Sequence, residues 1–507
     1  MPLHHPVVDT AYGPVRGVDD GNSLSWKGVR YAAPPVGDLR FRAPQPPRRW
    51  TEVADAGAFG FVCPQPPVPN FPLDLGAAEN EDCLFLNIWA PPGTTAGDAK
   101  PVMVWLHGGA YVLGSGTQPL YDGQRLAASG DVLVVTLNYR VGVFGFLDLS
   151  PYGGFDSNIG LRDVMAALHW VRDNIAAFGG DPSRVTLFGE SAGAGIVTTL
   201  LAIPQAEGLF ASAIAQSSPA TSVYEQDRAQ RVTRQVLDHL GVSPAEAHRL
   251  AEVDVAALLS ATKKVFDEVP VRNPGTLAFV PIVDGELLPD YPVHLARQGR
   301  THPVPLIIGT NRNEAALFRL MRSPLMPITP RAITSMFNEI AAEQPDLQLP
   351  TEAQLGSAYR GKGRGTSIAS DVGFRMPSVW LAEGHCRVAP VYLYRFDYST
   401  PIMKVLLVGA AHATELPYVW GTLGAPKDVT LKLGGAKQAK ALSKRIRTRW
   451  TNFAATAKPS GPAGEPDWTP YQEADRACLV MDRTDRVVYD ADERIRSAWG
   501  SDILHFR

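Results

Sequence analysis

One serine in this chain sits where a hydroxyl can be turned into a nucleophile. Gly189-Glu190-Ser191-Ala192-Gly193 matches G-x-S-x-G, with the strand-like run RVTLF (184–188) before it and a helical pattern (192–203) after it. That order is what the motif requires mechanically. A sharp strand-to-helix turn forces the central residue into a strained conformation and holds its hydroxyl out at the end of a sheet. The start of the helix adds free N–H groups and partial positive charge. Small residues are common after strands, so the bare motif is weak; its flanks supply the specificity.

A second chemical element stands upstream. His107-Gly108-Gly109-Ala110 follows directly on the apolar run PVMVWL (101–106). Attack on an ester carbonyl creates an oxyanion, and backbone N–H groups aimed at it in a dry site lower the barrier by roughly 3–4 kcal/mol per good donor. Gly109 and Ala110 supply two candidate N–H groups and Ala192 a third. Gly108 permits a close backbone approach next to the substrate. His107 reads as a structural histidine that orients this loop rather than as a base. Glu190 reads first as a buried carboxylate supporting the turn, with a second role in holding water and the alcohol side of a substrate. Ser217 is a supporting residue only.

A base and an acid are still needed, in the chain order Ser, Asp or Glu, His. His239, His248, His294 and His302 come too early or lie in expected helices and connections, and His385 falls in the helical run SVWLAEGHC. His505 lies close to the end of the sequence, a region that is often frayed. His412, after the strand-like VYLYRFD (391–397) and a short loop, suits the base. For the acid, Glu314 after VPLIIGT (304–310) and Asp397 at the end of VYLYRFD stay equally open on residues alone.

The elements that must position these groups read as an α/β fold. PVMVWL (101–106) and DVLVVTLN (131–138) are continuous apolar runs suited to strands buried on both faces. A helix is expected near 158–178, where Leu161, Val164, Met165, Leu168, Val171 and Ile175 recur at helical spacing; GG-D-P (179–182) ends it. Further strands are expected at 211–216, 304–310 and 391–397, and helices over 221–265 and 437–457. The first hundred residues, rich in Pro and Gly, read as hairpins and loops. Alternating strand and helix implies a large, mostly parallel sheet with right-handed crossovers. No repeat or flexible linker stands out, so residues 1–507 are expected to form one domain with long insertions.

Composition excludes little but points one way. A formal charge of −3 on 507 residues gives no pull toward nucleic acid or anionic membrane. MPLHHPVVDT has no basic and apolar signal segment, and no apolar run could span a bilayer. A soluble, cytoplasmic enzyme is expected, with secretion left open by a clipped signal. Monomer or weak homo-oligomer is the expected state. The four cysteines, Cys63, Cys83, Cys386 and Cys478, fit no zinc spacing. Cys63 and Cys83 could close a surface loop, although a reducing compartment would leave that bond open. Cys386 and Cys478 read as buried small hydrophobes.

Taken together the motifs resemble the type-B carboxylesterase family, which also contains the cholinesterases, and most closely its bacterial p-nitrobenzyl esterases. The resemblance covers nearly the whole chain: KGVRYAAPPVGDLRFRAPQPP (27–47), ENEDCLFLNIWAP (79–91), HGGAYVLGSG (107–116), VVTLNYRVGVFGFL (134–147), GGDPSRVTLFGESAG (179–193), PIVDGELLP (281–289), GTNRNEAALF (309–318) and AHATELPYVW (411–420). It implies an α/β-hydrolase fold, hydrolysis of carboxylic esters and no cofactor or metal. It places the catalytic acid on Glu314 and the base on His412, in the H-x-x-E segment. It also pairs Cys63 with Cys83. Departures are Ala110 at the third oxyanion glycine, Asn313 and Ala315 beside the acid, and Ser218 where the family usually has Gly.

Substrate class follows from what surrounds these groups. Cholinesterases place a Trp in the loop closed by the first cysteine pair to face a quaternary ammonium. Residues 64–82 contain no Trp or Tyr, and Phe71 is their one aromatic, so choline esters are not expected to be preferred. The proline-rich PQPPVPNFPLDL (64–75) is expected to form one wall of an open gorge. Before FVPIVDG, where cholinesterases carry bulky acyl-pocket aromatics, stand Gly275, Thr276 and Leu277. A roomy acyl pocket and short to medium aliphatic and aryl esters are expected. A non-catalytic adhesion module, or an amidase, carbamate hydrolase or lipase on the same fold, are the competing functions.

Overall fold

The computed structural model describes residues 5–68, 73–424 and 430–507; Phe71 lies outside them. Its centre is an eleven-stranded mixed sheet. In chain order the strands are β1 Val18–Asp19, β2 Leu24–Arg30, β3 Phe85–Ala90, β4 Lys100–Leu106, β5 Leu133–Leu137, β6 Gly180–Glu190, β7 Ser212–Gln216, β8 Leu306–Asn311, β9 Val391–Phe396, β10 Ala477–Met481 and β11 Arg486–Tyr489. They lie side by side as β11-β10-β9-β8-β7-β6-β4-β5-β3-β2-β1. From β10 across to β5 every neighbour is parallel; the two edges are antiparallel.

The apolar runs build this sheet because both faces are covered. On β4, Val102, Val104 and Leu106 point into one core while Met103 and Trp105 point into the other. Helix α1 (Ile159–Asn174) covers the first face with Val164, Leu168 and Val171. Helix α5 (Ala436–Thr456) covers the second with Leu442, Ile446, Trp450 and Phe453. Three more helices matter for the site: α2 (Ala192–Leu200), α3 (Ala315–Met321) and α4 (Pro401–Val405). Buried Arg140, just after β5, holds Asp163 on α1 through a paired contact at 2.6 and 2.8 Å.

Several boundaries differ from the sequence expectation. β6 runs from Gly180 rather than 184, because pairing with Lys100 extends it past Pro182. The helical region 221–265 is broken: a helix ends at Leu240, Gly241 takes a left-handed φ of 65°, and a second long helix spans Val255–Arg272. β10 and β11 were not anticipated. Cys63 and Cys83 are not bonded and do not close a surface loop. Both are buried free thiols. They sit side by side, and the Cys63 hydrogen bond and burial push the Cys83 thiol up. Cys478 is buried and Cys386 half-buried. No helix among the described residues is long and apolar enough to cross a membrane.

Candidate active site

Ser191 stands between β6 and α2 with φ 55° and ψ −125°, a strained conformation for a residue with a side chain. The turn is as tight as the motif demands. A Cβ on Gly193 would lie 2.1 Å from the Leu106 carbonyl oxygen. Ser191 N–H donates to Gln216 at 2.9 Å, fixing the turn to β7.

The loop after β4 runs alongside. Gly108 packs so close that a Cβ would meet Glu190 and Ser191 within 3.0 Å, while Gly109 (φ 123°) and Ala110 (φ 53°) turn the chain back. The N–H groups of Gly109, Ala110 and Ala192 have no acceptor among the described residues. His107 is buried and stacks on Tyr139 at 4.3 Å, and its Nδ1 lies 2.9 Å from the Gly108 carbonyl. Burial drives its pKa down to about 4, which keeps it neutral.

His412, on the segment after β9, reaches the same place. Its Nδ1 lies 2.7 Å from Glu314 Oε2. Glu314 also accepts from Ser217 Oγ and from the Asn311 N–H, both at 2.6 Å. Asp397 does not approach the imidazole; Arg395 holds both its oxygens, at 2.7 and 2.9 Å. Ser218 Oγ faces Thr198 Oγ1 at 3.0 Å. The departures beside Glu314 are accommodated: Asn313 N–H donates to Ala410, and Ala315 N–H to Ser370 Oγ.

Ser191, Ala110 and Ala192 open onto a mostly apolar cleft that is also lined by Leu277, Tyr224 and Phe318. Residues 69–72 of the proline-rich segment lie outside the described residues. Its described flanks do not line the cleft; Gln65 exchanges hydrogen bonds with Gly114, bracing the loop after β4.

Comparison with known proteins gives this geometry its context. The sequence pattern of the carboxylesterase family matches residues 4–497. The chain is 39% identical to the para-nitrobenzyl esterase of Bacillus subtilis, over 97% of this chain and 98% of that protein. The chain belongs to the carboxylesterase family. Its fold superposes on a solved p-nitrobenzyl esterase with a TM-score of 0.85, at 37% identity over 98% of this chain and 100% of that one. A Geobacillus stearothermophilus carboxylesterase superposes at 0.84, with 35% identity over 97% and 100%. As a family member the chain is a serine-hydrolase carboxylesterase, with the α/β-hydrolase fold expected from its sequence.

In this carboxylesterase the second imidazole nitrogen faces a carboxylate too. His412 Nε2 is 3.2 Å from Glu190 Oε1, off the hydrogen-bond line, and no hydrogen bond joins it to Ser191 Oγ. Burial works against the imidazolium, but the Glu190 charge and the Glu314 hydrogen bond outweigh it, so His412 is held above the ordinary histidine range. Burial likewise pushes the Glu190 carboxyl up, partly offset by His412.

Several site residues had not been singled out from sequence. Glu415 is buried and accepts from Asn311 and Gln216, and Gln216 accepts from Trp450 on α5. The H-x-x-E match contained Glu415, so a signal existed. Phe318 and Phe374 flank His412, with centroids at 5.3 and 4.5 Å. Leu504, His505 and Phe506 line the cleft rather than fraying. His505 packs on Tyr291, and Arg228 stacks over Phe506 at 4.9 Å while donating to the Arg507 carbonyl. No local motif marked these.

Proposed function

We propose that this carboxylesterase cleaves short to medium aliphatic and aryl esters through an acyl-enzyme carried on Ser191, with residues 1–507 acting as one cofactor-free catalytic unit. The observation that carries the reading is the Glu314–His412 bond of 2.7 Å beside a strained Ser191 that opens onto the cleft. His412 takes the Ser191 proton during attack and returns it to the leaving alcohol. Glu314 fixes the tautomer and stabilises the imidazolium. The N–H groups of Gly109, Ala110 and Ala192 receive the oxyanion. Water then hydrolyses the acyl-enzyme through the same cycle. For the first step His412 Nε2 must turn from Glu190 to Ser191 Oγ, a bond that commonly tightens only with substrate in place.

Steady-state kinetics on esters varied separately in acyl and alcohol parts tests this. p-Nitrophenyl acetate, butyrate and hexanoate should all be turned over, and butyrylcholine poorly. Leu277→Phe should penalise hexanoate most, and Phe506→Ala should favour the longer chains, because both side chains line the cleft beside Ser191. A butyrylcholine rate above that of a neutral ester of equal acyl length would contradict the pocket reading.

The two carboxylates on His412 carry a pH consequence. A base works in its neutral form, so raising its pKa makes activity fall away at a higher pH on acidification. The acid limb of kcat/KM should therefore lie above the ordinary histidine value of about 6.5. Glu190→Gln removes the carboxyl that favours the imidazolium and should move that limb down. A limb that Glu190→Gln leaves in place would mean that Glu190 does not act on the base.

A further inference from the structure

An apolar patch is exposed on the outer side of the helix that carries Phe318, a residue of the cleft wall. α3 starts one residue after Glu314 and turns Phe318 inward, against His412 and the cleft. Farther along the same helix, Leu320 and Met321 point outward, 58% and 42% exposed. Beside α3 runs the segment that leads from α4 into His412, where Val405, Leu406 and Leu407 are 72%, 53% and 77% exposed. The two stretches are joined. Arg319 Nη2 donates to the Leu407 carbonyl at 3.3 Å, and Ala316, Val408 and Ala411 pack together beneath, with Leu317 and Met403 against them. Single exposed apolar side chains are ordinary, but a run of large ones on two adjoining segments marks an interaction surface.

Charge indicates what meets it. Residues 312–331 and 398–411 carry Arg312, Arg319, Arg322, Arg331 and Lys404, and their one acid is Glu314. Glu314 is buried against His412. Arg312 lies 3.6 Å from Asp397; the other four make no ion pair among the described residues. An apolar centre with a cationic rim suits insertion at an anionic lipid surface, where the side chains enter the headgroup boundary and the cations meet phosphates. Self-association through the same patch would set like charges against each other across the symmetry axis.

We infer that this patch seats the enzyme on an anionic lipid surface, so that the cleft opens onto esters held in that surface. The inference rests on the ester-cleaving reading of the Ser191 site, and it concerns where substrate is met rather than how it is cleaved.

Co-sedimentation of the full chain with vesicles tests it, using phosphatidylcholine alone or mixed with phosphatidylglycerol. The wild type should sediment with the mixed vesicles, less with phosphatidylcholine, and less again at high salt. Val405→Ser/Leu406→Ser/Leu407→Ser should weaken that binding by about tenfold or more. Turnover of dissolved p-nitrophenyl acetate should stay unchanged, which also reports that the variant is folded. Arg322→Glu/Lys404→Glu, which leaves the apolar residues in place, should lose the preference for phosphatidylglycerol. The inference is overturned if the wild type ignores both vesicles or if neither variant alters binding. It is equally overturned if the serine variant only converts a dimer to a monomer in sedimentation velocity. Wild-type binding without turnover of any dissolved ester would instead refute the ester-cleaving reading.

Discussion

Ser191→Ala should lower kcat by about 10⁴ to 10⁶ while leaving the melting temperature nearly unchanged. The size of the effect follows from the chemistry: without the hydroxyl no acyl-enzyme forms, and only the oxyanion donors and binding remain. The small effect on stability follows from the geometry. Ser191 Oγ makes no hydrogen bond among the described residues, and the side chain is only partly buried at the end of β6. The turn itself is held by backbone contacts, the Ser191 N–H to Gln216 and the Gly195 N–H to Ser191, which alanine keeps. Stopped-assay rates on p-nitrophenyl butyrate, read beside thermal melts, check both halves. A variant that keeps more than a few per cent of wild-type turnover would remove Ser191 from the reaction.

The second large effect separates Glu314 from Asp397, which the residues alone left equal. The acid holds the imidazole in the tautomer that can accept the serine proton, and its amide favours the wrong tautomer at a cost of about 10⁴ in kcat. Glu314→Gln should therefore nearly abolish turnover. Asp397→Asn should stay within about tenfold of wild type, because Asp397 faces Arg395 and not His412. Its cost should appear in stability, at about 0.5–3 kcal/mol. Parallel kinetics and melts of the two variants decide the matter. The reverse pattern would make Asp397 the acid.

Much of the frame was legible because its causes are local. Short valine-containing runs with no polar interruption, such as 101–106, suit a strand covered on both faces, and β4 feeds two cores. The turn at Ser191 was legible because two glycines, a strand and a helix all had to coincide. What stayed hidden depends on pairing across the chain. β10 and β11 are short and flanked by charge; β10 is a strand because β9 offers an edge, and β11 because β10 does. Pro182 suggested a boundary that pairing with β4 overrides. The same holds in the site. The Gln216–Glu415–Asn311 network and the Phe506 wall join residues far apart in sequence; the H-x-x-E segment contains Glu415, but nothing beside Gln216, Asn311 or Phe506 in the chain announces the contact. The cysteines show the converse. The resemblance pairs Cys63 with Cys83, and both lie as free thiols in the interior.

Covalent labelling shows whether Ser191 carries the acyl group. Diisopropyl fluorophosphate phosphorylates an activated serine and leaves unactivated hydroxyls alone. Titrated into the wild type and followed by intact and peptide mass spectrometry, it should add once per chain, on the peptide containing Ser191. Activity should fall in step with that adduct, and Ser191→Ala should take up no label. An adduct on another serine, or activity that survives full modification of Ser191, would place the acyl group elsewhere.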